Sequence, residues 1–232
     1  MKTALITGAN RGIGLEFSKQ LVDSGWCVIS CNRNPDDSDA LNKLVAKYPG
    51  KITLHTLDVT NHEQVKNLAN TLSNKSIDLL INNAGFYPEI ERGSLGKIDY
   101  DAWVHTFLVN TMAPLRMIEE FITHITNSKR KIIVTITSKM GSISDNFRGG
   151  SYIYRSSKSA LNMVIKSTAI DLKSNNIISV LLHPGWVRTD MGGPNGLISV
   201  EQSVSGMLDI IKGLTIADSG KFIAYDGKII PW

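Results

Sequence analysis

Cysteine is scarce: the 232 residues contain two, Cys27 and Cys31. If both lie on one strand, their Cα atoms stand ~13 Å apart at ~3.3 Å per residue, too far to bridge. They read as buried thiols in a reducing cytoplasm. Long hydrophobic runs are absent, every apolar stretch breaking well before the ~18 residues that span a bilayer. Met1-Lys2 leads directly into a strand and a glycine turn, without the apolar core of a secretory signal. No basic run exceeds Lys129-Arg130-Lys131, and the net charge is only +4. That argues against a nucleic-acid partner. The five histidines (His55, His62, His105, His124, His183) show no ligand spacing, and His62-Glu63 lacks the second histidine of a zincin helix. No metal is expected. A G-x-S-x-G elbow is missing as well, which argues against a serine hydrolase.

What is present is globular composition, 42% hydrophobic and 20% charged. That suffices for a packed core, and the length suits one domain over 1–232 rather than two. Apolar or β-branched runs predict strands at 3–7, 26–30, 52–57, 77–81, 131–137, 177–182 and 222–225. Helical patterns alternate with them at 12–24, 37–47, 60–73, 100–127 (one long helix or a pair), 151–174 and 200–213. Thr60 with Glu63 reads as a capping box opening the third helix. Strand–helix alternation from end to end predicts an α/β fold: a Rossmann-type, doubly wound parallel sheet of about seven strands with helices on both faces.

The first strand runs into Thr7-Gly8-Ala9-Asn10-Arg11-Gly12-Ile13-Gly14, and a helix begins at once. Glycines permit a tight turn and close approach of a pyrophosphate. The helix N-terminus offers free N–H groups and partial positive charge. Gly8, Asn10, Arg11, Gly12, Ile13 and Gly14 are therefore expected against a dinucleotide. The spacing is G-x-x-x-G-x-G, and no Lys-Ser/Thr follows to make a P-loop. At the end of the second strand, where an acid would favour a free ribose 2′-hydroxyl, stand Asn32 and Arg33, with no acid until Asp36. Arg11 and Arg33 suit a doubly charged 2′-phosphate, so NADP(H) is expected over NAD(H). Asp58, followed by Val59, ends the third strand and can accept the adenine amino group or cap the next helix.

Of the tyrosines, only Tyr154 has a lysine four residues on, Lys158. On a helix the two share a face. An ammonium ~4 Å from a phenol at an effective dielectric of ~20 contributes ~4 kcal/mol, enough to lower its pKa by ~3 units. Such a phenol can pass a proton to or from a substrate oxygen. Ser138, at the end of the fifth strand, can hold that oxygen.

The stretch 7–14, Asn82-Asn83-Ala84-Gly85, Asn110, Ser138, Tyr154/Lys158 and Pro184-Gly185-Trp186-Val187-Arg188-Thr189 occur in the order found in short-chain dehydrogenases/reductases. The chain resembles that family over essentially its whole length. Residues 149–155 and 225–232 look more narrowly like C-factor (C-signal) proteins and sniffer-type carbonyl reductases. The resemblance implies Tyr154 as acid/base, with Lys158 lowering its pKa and binding the nicotinamide ribose. It implies Ser138 as the group positioning the reacting oxygen. Asn110 would distort its helix and hold a water linking Lys158 to solvent. Asn82, Ala84 and Gly85 would border the cofactor, and Pro184, Gly185, Val187 and Thr189 would contact its nicotinamide end. Ser138 precedes Tyr154 by 16 residues, more than is usual, so Ser142, 12 before, is a rival.

Phe86, Tyr87, Met140, Phe147, Trp186 and Met191 fall in loops at the strands' C-terminal ends. They either wall an apolar pocket or pack as ordinary loop residues. The glycine-rich stretch 192–196 is either a lid hinge or a simple loop. The expectation is an NADPH-dependent reductase of a small or medium carbonyl substrate, reversible in principle, in a cytoplasmic homodimer or homotetramer. The other reading is a dinucleotide-binding signalling or regulatory protein with little turnover. Substrate selectivity would come from loops 86–96, 139–150 and 186–196.

Overall fold

The computed structural model describes residues 1–34, 38–88 and 95–232. Asp36, the helix start expected at Asp37 and the middle of the 86–96 loop lie outside the described residues. Seven parallel strands form one sheet: β1 (Thr3–Thr7), β2 (Cys27–Asn32), β3 (Ile52–Thr56), β4 (Leu79–Asn82), β5 (Ile132–Ile136), β6 (Ile178–His183) and β7 (Phe222–Ala224). Their order is β3-β2-β1-β4-β5-β6-β7. The order reverses between β1 and β4, and open α/β sheets bind ligands at that switch point, beyond the strands' carboxyl ends.

The strands are apolar on both faces because helices cover both. Ala4 and Ile6 of β1 face a layer holding Phe17, Leu21, Leu41 and Met207. Leu5, between them, faces Met117, Phe121, Leu161 and Ile165. The first layer comes from α1 (Gly12–Asp23), α2 (Asp39–Lys47) and α7 (Val200–Gly213). The second comes from α3 (His62–Thr71), α5 (Ala113–Thr126) and α6 (Tyr152–Asp171). Period-two alternation therefore fills two cores from one strand.

Three expectations shift. The helix pattern at 100–127 resolves into α4 (Tyr100–Phe107), a π-helical turn at Leu108–Met112 and then α5. Asn110 lies in the π turn, a wide form that appears mostly where side chains must be re-aimed. The α3 capping box at Thr60 and Glu63 is not formed. Asn61 is the N-cap, accepting the Gln64 N–H, while the Gln64 side chain accepts the Asp58 N–H. Thr60 is drawn away because its N–H and hydroxyl both donate to Asp58 Oδ1. β4 begins two residues later than expected, at Leu79. Cys27 and Cys31 both lie on β2 as free thiols; burial pushes Cys31 up to about 12.

Candidate active site

The glycine turn is built by three constraints. Gly8 adopts φ +66°, a left-handed conformation that a β-carbon disfavours. A Cβ on Gly14 would lie 2.2 Å from the Gly8 carbonyl oxygen, so α1 can leave β1 this closely only without one. Asn83 then locks the turn from the neighbouring strand. Its Nδ2 donates to the carbonyls of Thr7 (2.9 Å) and Gly8 (3.1 Å), and the N–H groups of Asn83 and Ala84 donate to Thr7 Oγ1. Sequence reasoning used Asn83 only as part of a motif. Ser38 was missed altogether; its hydroxyl donates to the Asn10 carbonyl at 2.7 Å. Ile13 packs against the sheet. No side chain caps α1, and its first turn holds no acid. Its first N–H groups are thus left for an anion.

Around this turn the expected cofactor residues take different places. Asn32 is buried at the end of β2, and its Oδ1 has no hydrogen-bond partner among the described residues. Arg33 is exposed beside it. Arg11 is exposed too, but ion-paired with Asp190 rather than pointing at a phosphate site alone. That pair ties the glycine turn to the loop after β6. Both groups are mostly solvated, so it holds by at most about 1 kcal/mol and yields readily to a stronger anion. Burial would raise the Asp58 carboxyl. Its Thr60 hydrogen bonds, with Arg33 and His105 nearby, carry it below the ordinary range instead. Val59 and Ala84 line, with Thr7, Val109 and Pro114, a small open crevice. Asn82 turns inward, donating to the Pro114 carbonyl at 3.3 Å. It supports the sheet from behind.

The other wall is the loop after β6. Thr189 Cγ2 lies 3.4 Å from where a Gly12 Cβ would be, which sets this loop directly over the glycine turn. Pro184 accepts the Ser203 hydroxyl, and Val187 is buried. Gly185 packs against Ile198 and Tyr225 where a Cβ would not fit. The stretch 192–196 is a folded-back loop rather than an open hinge. A Cβ on Gly192 would stand 2.0 Å from the Val187 oxygen, and the Trp186 indole donates to the Gly192 carbonyl at 2.7 Å.

The four candidate catalytic residues come together. Tyr154 and Lys158 share a face of α6, both buried. Ser138 lies just beyond β5, where its hydroxyl accepts the Met140 N–H and its side chain lowers the pKa of the Tyr154 phenol. Asn110 accepts the Phe86 N–H and donates to the Phe86 carbonyl, each at 2.8 Å. Gly85 lies between, a Cβ there falling 3.6 Å from Asn110 Oδ1 and 3.9 Å from Lys158 Nζ. The rival Ser142 is turned away, its hydroxyl accepting the Asp145 N–H at 3.1 Å.

One electrostatic expectation is overturned. Lys158 Nζ donates to the Ile136 carbonyl at 3.1 Å and stands 5.8 Å from the Tyr154 ring centre. Burial pushes the phenol up to about 12, against the lowering effect of Ser138. Burial likewise lowers the ammonium to about 8. Desolvation leads for both groups because both are enclosed, and Tyr87 beside the phenol raises it further.

Of the six apolar loop residues, Tyr87 packs against Tyr154 and Phe86 against His105. Trp186 and Met191 are about half exposed, and Phe147 is 87% exposed.

A family model described as short chain dehydrogenase matches residues 2–196. C-signal of Myxococcus xanthus is 42% identical over 159 residues, covering 67% of this chain and 93% of that protein. The NADPH-bound carbonyl reductase from chicken fatty liver is similar at 33% identity and TM-score 0.92, covering 100% of this chain and 99% of that one. Carbonyl reductase Sniffer of D. melanogaster is similar at 31% identity and TM-score 0.94, covering 100% of both. With most of its length matched by that model, and its fold superimposing end to end on two carbonyl reductases, the chain belongs to the short-chain dehydrogenase/reductase family of oxidoreductases.

Proposed function

We propose that this chain is an NADPH-dependent reductase of small or medium carbonyl compounds, reversible in principle. The observation that carries the reading is the buried Tyr154 phenol, on one face of α6 with Lys158 and within the electrostatic reach of Ser138. Bound NADPH would supply the hydride. The chain's own residues do the rest. Tyr154 gives its proton to the substrate oxygen, and Ser138 holds that oxygen in place. Lys158 stabilises the phenolate left behind and holds the nicotinamide ribose. The π turn at Asn110 carries a water that reconnects Lys158 to solvent.

The cradle fits the cofactor by shape and charge. Gly8, Gly12 and Gly14 admit a pyrophosphate, and the uncapped α1 N-terminus faces it. The orphaned Asn32 Oδ1 would accept a ribose hydroxyl, while Arg33 and Arg11 would take the 2′-phosphate. Asp58 meets the adenine, and Val187 and Thr189 meet the nicotinamide. The NADPH held by the chicken carbonyl reductase supports this preference. Arg33→Asp is expected to raise the KM for NADPH at least tenfold and improve use of NADH, removing one phosphate contact. Equal affinity for both cofactors in the unmodified protein would sink the preference.

Ser138→Ala is expected to lower kcat about a hundredfold, the usual effect of losing one donor at a developing oxyanion. Ser142→Ala should change kcat less than threefold, since it only loosens a turn. Initial rates on both variants decide it, and the reverse order would overturn the assignment.

The deciding experiment is NADPH oxidation over a panel of aldehydes, ketones, quinones and diketones. Turnover supports the reductase. Tight NADPH binding without turnover on any of them would favour the second reading, a dinucleotide-binding signalling protein, as the similarity to C-signal suggests. Exposed Tyr100 and Val104 on α4, with Met163 and Ile170 on α6, support pairing into a homodimer or homotetramer. No helix among the described residues is long and apolar enough to cross a membrane. The two free thiols suit a reducing cytoplasm.

A further inference from the structure

In the loop after β4 two aromatic residues follow Asn83-Ala84-Gly85, and their anchoring differs. Asn110 grips both backbone groups of Phe86, and the Phe86 ring rests edge-on against His105 at 5.0 Å. Tyr87 follows directly. Its ring centre lies 4.5 Å from that of Tyr154, the planes inclined by 55°. Its hydroxyl lies 3.3 Å from Ser151 Oγ. Ser151 is itself unusual, with φ +47° in a residue that carries a β-carbon. Gly149 (+64°) and Gly150 (+65°) precede it, so three left-handed residues in a row turn the chain into α6. Such a conformation persists only where its surroundings hold it.

Tyr87 is therefore fixed at both ends, by Phe86 through the backbone and by Ser151 through the hydroxyl. It is only half-buried, and its ring abuts the reacting phenol. A rigid aromatic face costs little ordering when a ligand lies on it. Offset stacking rewards a flat π-system and gives nothing extra to an alkyl chain. We propose that Tyr87 is the specificity-determining residue of this site, an aromatic shelf beside Tyr154 that selects planar aryl or conjugated carbonyl compounds over alkyl ones. The proposal rests on the reductase reading above. It deepens that reading by naming the substrate class and the side chain that chooses it.

The test compares benzaldehyde with propanal in NADPH oxidation by wild type, Tyr87→Leu and Tyr87→Phe. Tyr87→Leu should lower kcat/KM for benzaldehyde about tenfold, mainly through KM, and change propanal less than threefold. Tyr87→Phe keeps the ring and loses the Ser151 tie. Its KM for benzaldehyde should rise about two- to threefold, as for one exposed hydrogen bond, with propanal unchanged. Equal losses on both aldehydes, or no loss in Tyr87→Leu, overturn the shelf. A second readout needs no turnover: calorimetric binding of benzamide and of acetamide to the NADPH-loaded protein. Benzamide should bind Tyr87→Leu about tenfold more weakly than wild type, with acetamide indifferent. If wild type reduces no carbonyl at all, the reductase reading fails on its own. Equal benzamide affinity in wild type and Tyr87→Leu then still overturns the shelf.

Discussion

Tyr154→Phe should lower NADPH-dependent carbonyl reduction by roughly 10²- to 10⁴-fold, the range of a lost general acid, while NADPH affinity stays within threefold. Phenylalanine keeps the ring that packs against Tyr87 and removes only the hydroxyl. Burial holds the phenol at about 12, so it stays protonated through the neutral range. That suits a donor. An alkoxide forming beside it is more basic still, and the proton moves downhill. In the proposed mechanism the Lys158 ammonium and Ser138 would then stabilise the phenolate. Initial rates paired with a fluorescence titration of NADPH make the measurement. A variant that kept more than a tenth of the activity would remove Tyr154 from the acid's role.

The second large effect is on stability. Acidification from pH ~6.5 to ~4 should cost the folded state on the order of 3 kcal/mol through His183 alone, over and above the background from carboxylates. His183 ends β6, and its Nδ1 accepts the Lys139 N–H at 3.3 Å. Burial lowers it to about 4, helped by Lys139 and opposed by Asp226 and Asp145. The folded pKa lies below the unfolded one, so the unfolded chain takes up a proton first as pH falls. The contribution is complete above pH ~6.5 and gone below pH ~4. Urea unfolding at pH 7 and at pH ~4.5 would show it, run beside His183→Asn, which can accept the same N–H without titrating. Parallel losses in the two proteins would sink the idea. Lys139 follows Ser138 directly, so protonating His183 should disturb the reacting-oxygen site in the same window.

The fold was legible in the sequence because its signals are local. Buried parallel strands read as apolar runs, and helices read as i, i+4 stripes. The candidate site was legible where a motif carries its own geometry, as in the Gly8–Gly14 spacing and in the Tyr154–Lys158 pair sharing a helix face. What stayed hidden depends on long-range partners. Arg11 finds Asp190, 179 residues away, and Tyr87 finds Ser151, 64 residues away. The pKa of Tyr154 was misjudged for a related reason. Spacing on a helix says that Lys158 is near, but not that both are enclosed or that the Ile136 carbonyl claims the ammonium. The Thr60 cap failed by one residue, because Asp58 competes for the same hydroxyl. A carboxylate two positions upstream of a candidate cap was a visible signal for that.

The clamp of Asn83 on Thr7 and Gly8 has a bearing on how the protein is made. The first strand and its glycine turn leave the ribosome early, yet their shape is held by a residue 76 positions later. At ~5–20 residues per second, that interval is roughly 4–15 s. Until β4 docks beside β1, the turn has no lock, and the first helix presents its N–H groups to water alone. The nucleotide cradle thus closes as a late event of synthesis, after the strands on either side of the switch point have met.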